Sequence, residues 1–203
     1  MLNQLISGFN EHDCIINQYD VNELEIYPCK GCLRCNVTGR CSITNDGWAE
    51  LAEKIINADI LVFATPIFFH HLPAPLKKIL DRFRSFIHVQ ITDTGLIHTP
   101  RGIWKKDFVL LLSMGSPDAN EANAVVELFY FMNKILGNCN SLHTISATRL
   151  AVIRQIEKSE KELGELYKKM KISSDLVPID YINNQKILNS CFCLGERLTR
   201  EKT

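Results

Sequence analysis

Two apolar runs, Ile60-Leu-Val-Phe-Ala64 and Phe108-Val-Leu-Leu-Leu-Ser113, constrain this chain more than any other feature. Neither alternates with polar residues, so each reads as a strand buried on both faces, the pattern of a parallel sheet covered by helices. Between them, Leu76, Ile79, Leu80, Phe83 and Phe86 recur at helical spacing, with Pro75 suited to the first turn. Trp48, Leu51, Ala52, Ile55 and Ile56 mark an earlier helix ending near Asn57, which Asp46 is placed to cap from outside. Ala122, Val125, Val126, Phe129 and Leu136 mark a later helix, and Leu142 to Leu150 reads as a weaker strand. A charged helix runs from about Arg154 to Lys171 with Ile156, Leu163, Leu166 and Met170 as its stripe. The chain opens with a helix carrying Leu2, Leu5, Ile6 and Phe9, and Cys14 to Tyr19 is expected as a strand. Strands alternating with helices at this spacing imply an α/β fold, a doubly wound parallel sheet in three layers. Residues 1–171 make up the expected domain, and 172–203 a polar tail with one helix near Ile187 to Leu198. Ile87 to Lys106, with poor periodicity and Gly95, Pro100 and Gly102, reads as an excursion from the core.

Four of the eight cysteines fall between Cys29 and Cys41, at Cys29, Cys32, Cys35 and Cys41, with gaps of two, two and five residues. Two-residue gaps let successive thiolates curl around a common centre, and three cysteines in that register have the shape of a ferredoxin-type cubane loop. Gly31 and Gly39 relax the backbone where it must approach inorganic sulfide, and Lys30, Arg34 and Arg40 favour ionised thiols. A structural zinc site also uses four cysteines, commonly as two separated two-cysteine knuckles, and a disulfide pair is the third reading. The register favours iron and sulfide over these two.

Ligands of doubly wound sheets bind at the carboxyl ends of the strands. Two loops lie at such ends, Thr65-Pro-Ile-Phe-Phe-His-His-Leu-Pro-Ala-Pro75 and Met114-Gly-Ser-Pro-Asp118. Thr65 offers a hydroxyl, and Phe68 and Phe69 can cover a planar ring, although aromatics serve more often as core or interface residues. His70 and His71 read as solvated polar residues, and Asp81 with Arg82 as a surface ion pair at a helix end. Cys191 and Cys193 read as buried thiols at an interface, and Cys14 and Cys139 as core residues.

The run Thr65 to Phe69, continuing through Leu76-Lys77 to Asp81-Arg82, resembles the flavin loop and following helix of NADPH-dependent FMN reductase-like proteins, which are flavodoxin-like. Together with the cysteine motif, the chain is similar to the iron-sulfur flavoproteins of that group over approximately Cys14 to Leu150. The resemblance implies a [4Fe-4S] cluster on Cys29, Cys32, Cys35 and Cys41. It implies an FMN along Thr65, Pro66, Ile67, Phe68 and Phe69, with Met114, Gly115 and Ser116 closing nearby. It further implies a flavin-dependent oxidoreductase passing electrons between cluster and flavin, served by NAD(P)H or a redox partner protein, in a homodimer or homotetramer. The segment Ile87 to Lys106, with Trp104, would then cover the flavin or the partner subunit. Two other readings of the residues stay open: an NAD(P)H-dependent flavin or quinone reductase without a cluster, and a non-catalytic zinc module.

The family opens with a strand and a Gly-Ser-rich loop that cradles the FMN phosphate at a helix amino end, and nothing like it precedes Leu2. In the flavodoxin order that strand would be central, and three explanations are open: a late start of the reading frame, replacement of the strand by another segment or subunit, or loss of flavin binding; the late start is favoured, with weak FMN binding by this chain as the expectation. Lysine plus arginine balances aspartate plus glutamate at 23 each, which argues against nucleic acid or an anionic membrane surface as partner. No apolar run is long enough for a bilayer and no secretory leader is visible, so a cytoplasmic location is expected. No Gly-x-Gly-x-x-Gly run names a dinucleotide, and no residue stands out as acid, base or nucleophile.

Overall fold

The computed structural model describes residues 1–137 and 140–201. Its strands are β1 (Ile60–Pro66), β2 (Ile87–Thr92), β3 (Gly95–Pro100), β4 (Asp107–Ser113) and β5 (Ser141–Ala147). Its α-helices are α1 (Leu2–Phe9), α2 (Arg34–Thr38), α3 (Trp48–Asn57), α4 (Ala74–Arg82), α5 (Asn123–Leu136), α6 (Glu160–Met170) and α7 (Leu176–Arg200). Two compact units result: Ile16–Leu110 with Asn123–His143, and Met1–Ile15 with Leu111–Ala122 and Thr144–Thr203. We call them the central and the terminal unit.

The main sheet has the order β1-β4-β5. Asp107 N–H donates to Asp59 C=O at 3.0 Å and Ser141 N–H to Lys106 C=O at 3.1 Å, so neighbouring strands begin together and run parallel. With its flanking helices this is a flavodoxin-like fold. β4 is buried from Asp107 to Leu112, as its unbroken apolar run requires of a middle strand. β1 departs from the same expectation: Ala64 is exposed, because β1 has a sheet neighbour on one side only among the described residues. Cys14 to Tyr19 is likewise not a strand. That segment pairs with no other strand among the described residues, and extended backbone without a partner bonds to water instead. Cys14 is accordingly exposed rather than in the core, and Ile15 is 95% exposed. Cys139 lies outside the described residues.

The central unit is held by aromatic packing. The Phe63 ring lies 4.8 Å from Phe129 and 6.1 Å from Phe108, centre to centre, and Trp48 lies 5.4 Å from Phe86. Trp104 is 5% exposed, 5.2 Å from Phe86, and so belongs to this cluster. The expected excursion is an antiparallel hairpin, β2 on β3, paired from Ile87 with Pro100 to Thr92 with Gly95. Its signal is present in the alternation of Ile87, Val89 and Ile91 with His88, Gln90 and Thr92.

In the terminal unit α1 crosses α7 backbone to backbone. A Cβ on Gly8 would fall 2.2 Å from the Phe192 carbonyl oxygen, and one on Gly195 would fall 2.4 Å from that of Leu5, so both positions require glycine. α7 is much longer than the short helix expected near Ile187 to Leu198. Pro178 lies in its first turn, where a missing N–H breaks no intrahelical bond, and Cys191, Leu194 and Leu198 bury one face. Cys191 is thus buried as expected, and burial pushes its thiol pKa up, whereas Cys193 is exposed. α6 starts with a reciprocal cap in which Ser159 N–H donates to Glu162 at 2.8 Å and Glu162 N–H to Ser159 Oγ at 3.4 Å. Among the described residues no helix is long and apolar enough to cross a membrane.

Candidate functional site

The cysteine loop lies wholly in the central unit. Cys29 and Cys32 are exposed, Cys41 is half-buried and Cys35 is buried. Three residues give the loop its turns by adopting left-handed backbone: Gly31 at φ +64°, Leu33 at +55° and Gly39 at +75°. Gly39 ends the five-residue helix α2, and its N–H donates to Cys35 C=O at 3.1 Å. Gly31 N–H reaches Cys29 Sγ at 3.5 Å, and Cys32 Sγ lies 3.3 Å from Ser42 Oγ. The Ser42 contact, with backbone N–H from Arg34, holds the Cys32 thiol below its ordinary pKa. Burial pushes the Cys35 thiol up, Arg84 opposes this, and Cys41, Cys29 and Cys32 reinforce it.

The inner turn is anchored by side chains distant in sequence. Asn36 pairs like a strand residue with Val89, donating from Nδ2 to Val89 C=O at 2.8 Å and accepting Val89 N–H at 2.7 Å. Arg84 Nη2 donates to Asn36 Oδ1 at 3.0 Å, and Arg101 Nη2 donates to the carbonyls of Cys35 and Asn36 at 2.9 and 3.0 Å. Arg84 and Arg101, rather than Lys30 and Arg40 with their exposed side chains, make these contacts. No sequence spacing signals them, because they arrive through the fold from the two ends of the β2-β3 hairpin, Arg84 just before β2 and Arg101 just after β3.

The base of the loop is closed by Arg82, which is not the surface partner of Asp81. Asp81 pairs with Lys77. Arg82 is 1% exposed and forks onto Asp46, with Nη1 to Oδ2 at 2.6 Å and Nη2 to Oδ1 at 3.3 Å. It also donates to Tyr27 C=O at 2.7 Å and Ile43 C=O at 3.3 Å, and lies 5.1 Å from the Trp48 ring centre. Asp46 in turn accepts Tyr27 N–H at 2.9 Å and, as the expected cap of α3, Trp48 N–H at 3.2 Å. Burial disfavours the Asp46 carboxylate, but Arg82 and these two N–H donors outweigh it and hold its pKa below the usual carboxylate range. Beside the loop entrance an open cleft of about 460 Å³ is lined by Pro28, Ala74, Pro75, Lys77, Lys78 and Asp81.

Thr65, at the carboxyl end of β1, is buried, and its hydroxyl donates to Pro66 C=O at 3.1 Å. Phe68 and His71 then exchange both backbone hydrogen bonds, at 2.9 and 3.0 Å, around Phe69 at φ +53° and His70 at φ +63°. Positive φ at both central positions is the geometry of a type I′ turn, which ordinarily takes Asn and Gly. A bulky residue there stores about 1–3 kcal/mol of strain, a cost typical of ligand-clamping segments. Phe69 stands fully in solvent and Phe68 is 62% exposed, so neither is a core residue. His70 and His71 are exposed, as expected.

In the terminal unit, Met114 to Ser116 form the turn after β4. Met114 N–H donates to Ala147 C=O at 2.9 Å, Leu150 N–H to Met114 C=O at 2.8 Å and Arg149 N–H to Ser116 C=O at 3.0 Å. Ser116 Oγ donates to Glu121 at 2.6 Å. Arg149, itself at φ +56°, pairs with Asp180 at 2.8 Å, and Asp180 accepts the Tyr167 hydroxyl at 2.7 Å. Burial and this carboxylate push the Tyr167 pKa far up.

Four thiols in one loop, flanked by arginines, fit an iron-sulfur cluster as a donor set. Among the described residues no three His, Cys, Asp or Glu side chains are already arranged around one metal position. Residues 1–160 match the NADPH-dependent FMN reductase family. The chain belongs to that family. It is 37% identical over 60 residues to an iron-sulfur flavoprotein of Methanocaldococcus jannaschii, a match covering 30% of this chain and 31% of the relative. It is 23% identical over 130 residues to an iron-sulfur flavoprotein of Archaeoglobus fulgidus, covering 64% and 49%. The chain thus spans from a third to half the length of these relatives. In fold it is similar to an FMN-dependent NADH-azoreductase from Bacillus anthracis in complex with FMN, with a TM-score of 0.61, 14% identity, and coverage of 98% of this chain and 89% of that one.

Proposed function

We propose that this chain is a flavin-dependent oxidoreductase, an iron-sulfur flavoprotein that passes electrons between a [4Fe-4S] cluster and FMN. The observation that carries the reading is the position of α4: it begins just after the strained aromatic turn and ends in Arg82, which closes the base of the four-cysteine loop. The iron-sulfur flavoproteins among the relatives support the same assignment. Cys29, Cys32, Cys35 and Cys41 would hold the cluster. Thr65, Pro66, Ile67, Phe68 and Phe69 would hold the flavin, together with Met114, Gly115 and Ser116 on the turn after β4. When bound, the flavin exchanges two electrons with a donor such as NAD(P)H and single electrons with the cluster.

Each residue set has a task that follows from its surroundings. Cys35, fixed by the Arg101 bond to its carbonyl and by the bonds of the next residue, Asn36, to Val89, is the anchored ligand, and the exposed Cys29 and Cys32 would close on it. Phe68 and Phe69 stand free to cover one face of a planar ring and exclude water from it. The assembly is a homodimer or homotetramer served by NAD(P)H or a redox partner protein.

Anaerobic purification followed by iron, acid-labile sulfide, zinc and flavin analysis tests the proposal. Four iron and four sulfide per chain, with FMN bound weakly and retained when supplied in excess, is the expected result. Zinc without flavin, or flavin without metal, overturns it in favour of a zinc module or a cluster-free reductase.

A further inference from the structure

The cysteine loop enters at Tyr27 and leaves at Ile43, and one buried guanidinium touches both. Tyr27 is held by both of its backbone groups, its C=O by Arg82 and its N–H by Asp46. Asp46 is in turn locked to the start of α3 through Trp48 N–H. The ion pair is almost wholly out of water, with side chains 0% and 1% exposed, so neither partner can leave without stranding the other. Guanidinium alone can serve this arrangement, because two carbonyls and both carboxylate oxygens are met by one planar fork.

We propose that Arg82 is a positioning residue for the cysteine loop, clamping its entry and exit together so that less of the chain has to be ordered when the four thiols close on a metal. The proposal rests on the cluster reading for its purpose but not for its geometry. Joining the ends of a loop in advance removes closure entropy that metal binding would otherwise have to supply. The clamp also links the loop to α4, whose other end follows the Phe68–His71 turn.

The test compares the wild-type full chain with Arg82→Lys, which keeps the positive charge beside Asp46 and loses the fork. Far-UV circular dichroism reports the fold, and flavin content reports the other site. Limited proteolysis within residues 28–42 of the metal-free proteins reports the clamp, and cluster loss to a chelator after anaerobic reconstitution with iron and sulfide reports its purpose. With the helical signal and flavin content unchanged, loop cleavage and cluster loss should each be about tenfold faster in Arg82→Lys. Equal cleavage rates in the two folded proteins overturn the proposal. If Arg82→Lys loses its helical signal, Asp46→Asn, which keeps the shape of the pair and weakens its charge, is read on the same two rates. If the wild-type takes up no iron, the cluster reading fails by itself, and the cleavage rates still decide whether Arg82 is the clamp.

Discussion

The cysteine loop takes its shape from side chains far along the chain, whereas the Phe68–His71 turn takes its shape from two backbone hydrogen bonds between residues three apart. The loop is tied down by Arg82, Arg84, Arg101 and Asn36, and its left-handed positions include two glycines that adopt them without strain. The turn has no glycine, and it carries Phe69 and His70 at positive φ in full view of solvent. One loop is built to hold several groups in a fixed frame. The other keeps strain and exposed aromatic surface, features that a stability-optimised turn would lack and that a ring-shaped ligand can use.

The sharpest way to break this contrast is to remove Arg82. Arg82→Ala leaves the Asp46 carboxylate buried and unpaired, and should cost about 3–5 kcal/mol in urea unfolding. The pair also predicts a pH effect. Asp46 is held below the usual carboxylate range in the folded state, so its contribution is complete above about pH 4 and is lost as pH falls through the folded value. The stability gap between wild-type and Asp46→Asn should therefore narrow in acid, and a gap independent of pH would contradict the assignment. Asn36→Ala removes a two-way bond to Val89 and one of the two acceptors of Arg84, with an expected loss of about 1–3 kcal/mol.

The turn should respond in the opposite direction. Phe69→Asn with His70→Gly supplies the residues that a type I′ turn favours and should stabilise the protein by about 1 kcal/mol, read as a rise in Tm, while weakening flavin retention. A fall in Tm would mean that the turn is not strained.

The same contrast decides what was legible in the sequence. Helices α3 and α4 and strand β4 follow from the spacing of Trp48, Leu51 and Ile55, of Leu76, Ile79 and Leu80, and from the unbroken run at Phe108. The cysteine register was legible because ligand spacing is local. Arg82 with Asp46 was not, since 36 residues separate them and nothing in an Asp-Arg helix end signals burial. Neither was the turn, because Phe-His carries none of the Asn-Gly signal for positive φ. Cys14 to Tyr19 has a strand-like composition, but a strand is a property of two segments, and that segment pairs with none among the described residues. The β2-β3 hairpin was present as an alternation hidden among loop residues.

The cluster assignment requires the four thiols to act as one ligand set. Mössbauer spectroscopy of iron-enriched, anaerobically purified protein tests this directly, with Cys35→Ser as the control. The expected spectrum is that of a single four-iron cluster, lost as a unit in the variant. Iron in isolated sites, or a wild-type spectrum that survives the loss of Cys35, would contradict the assignment of the four thiols to one cluster.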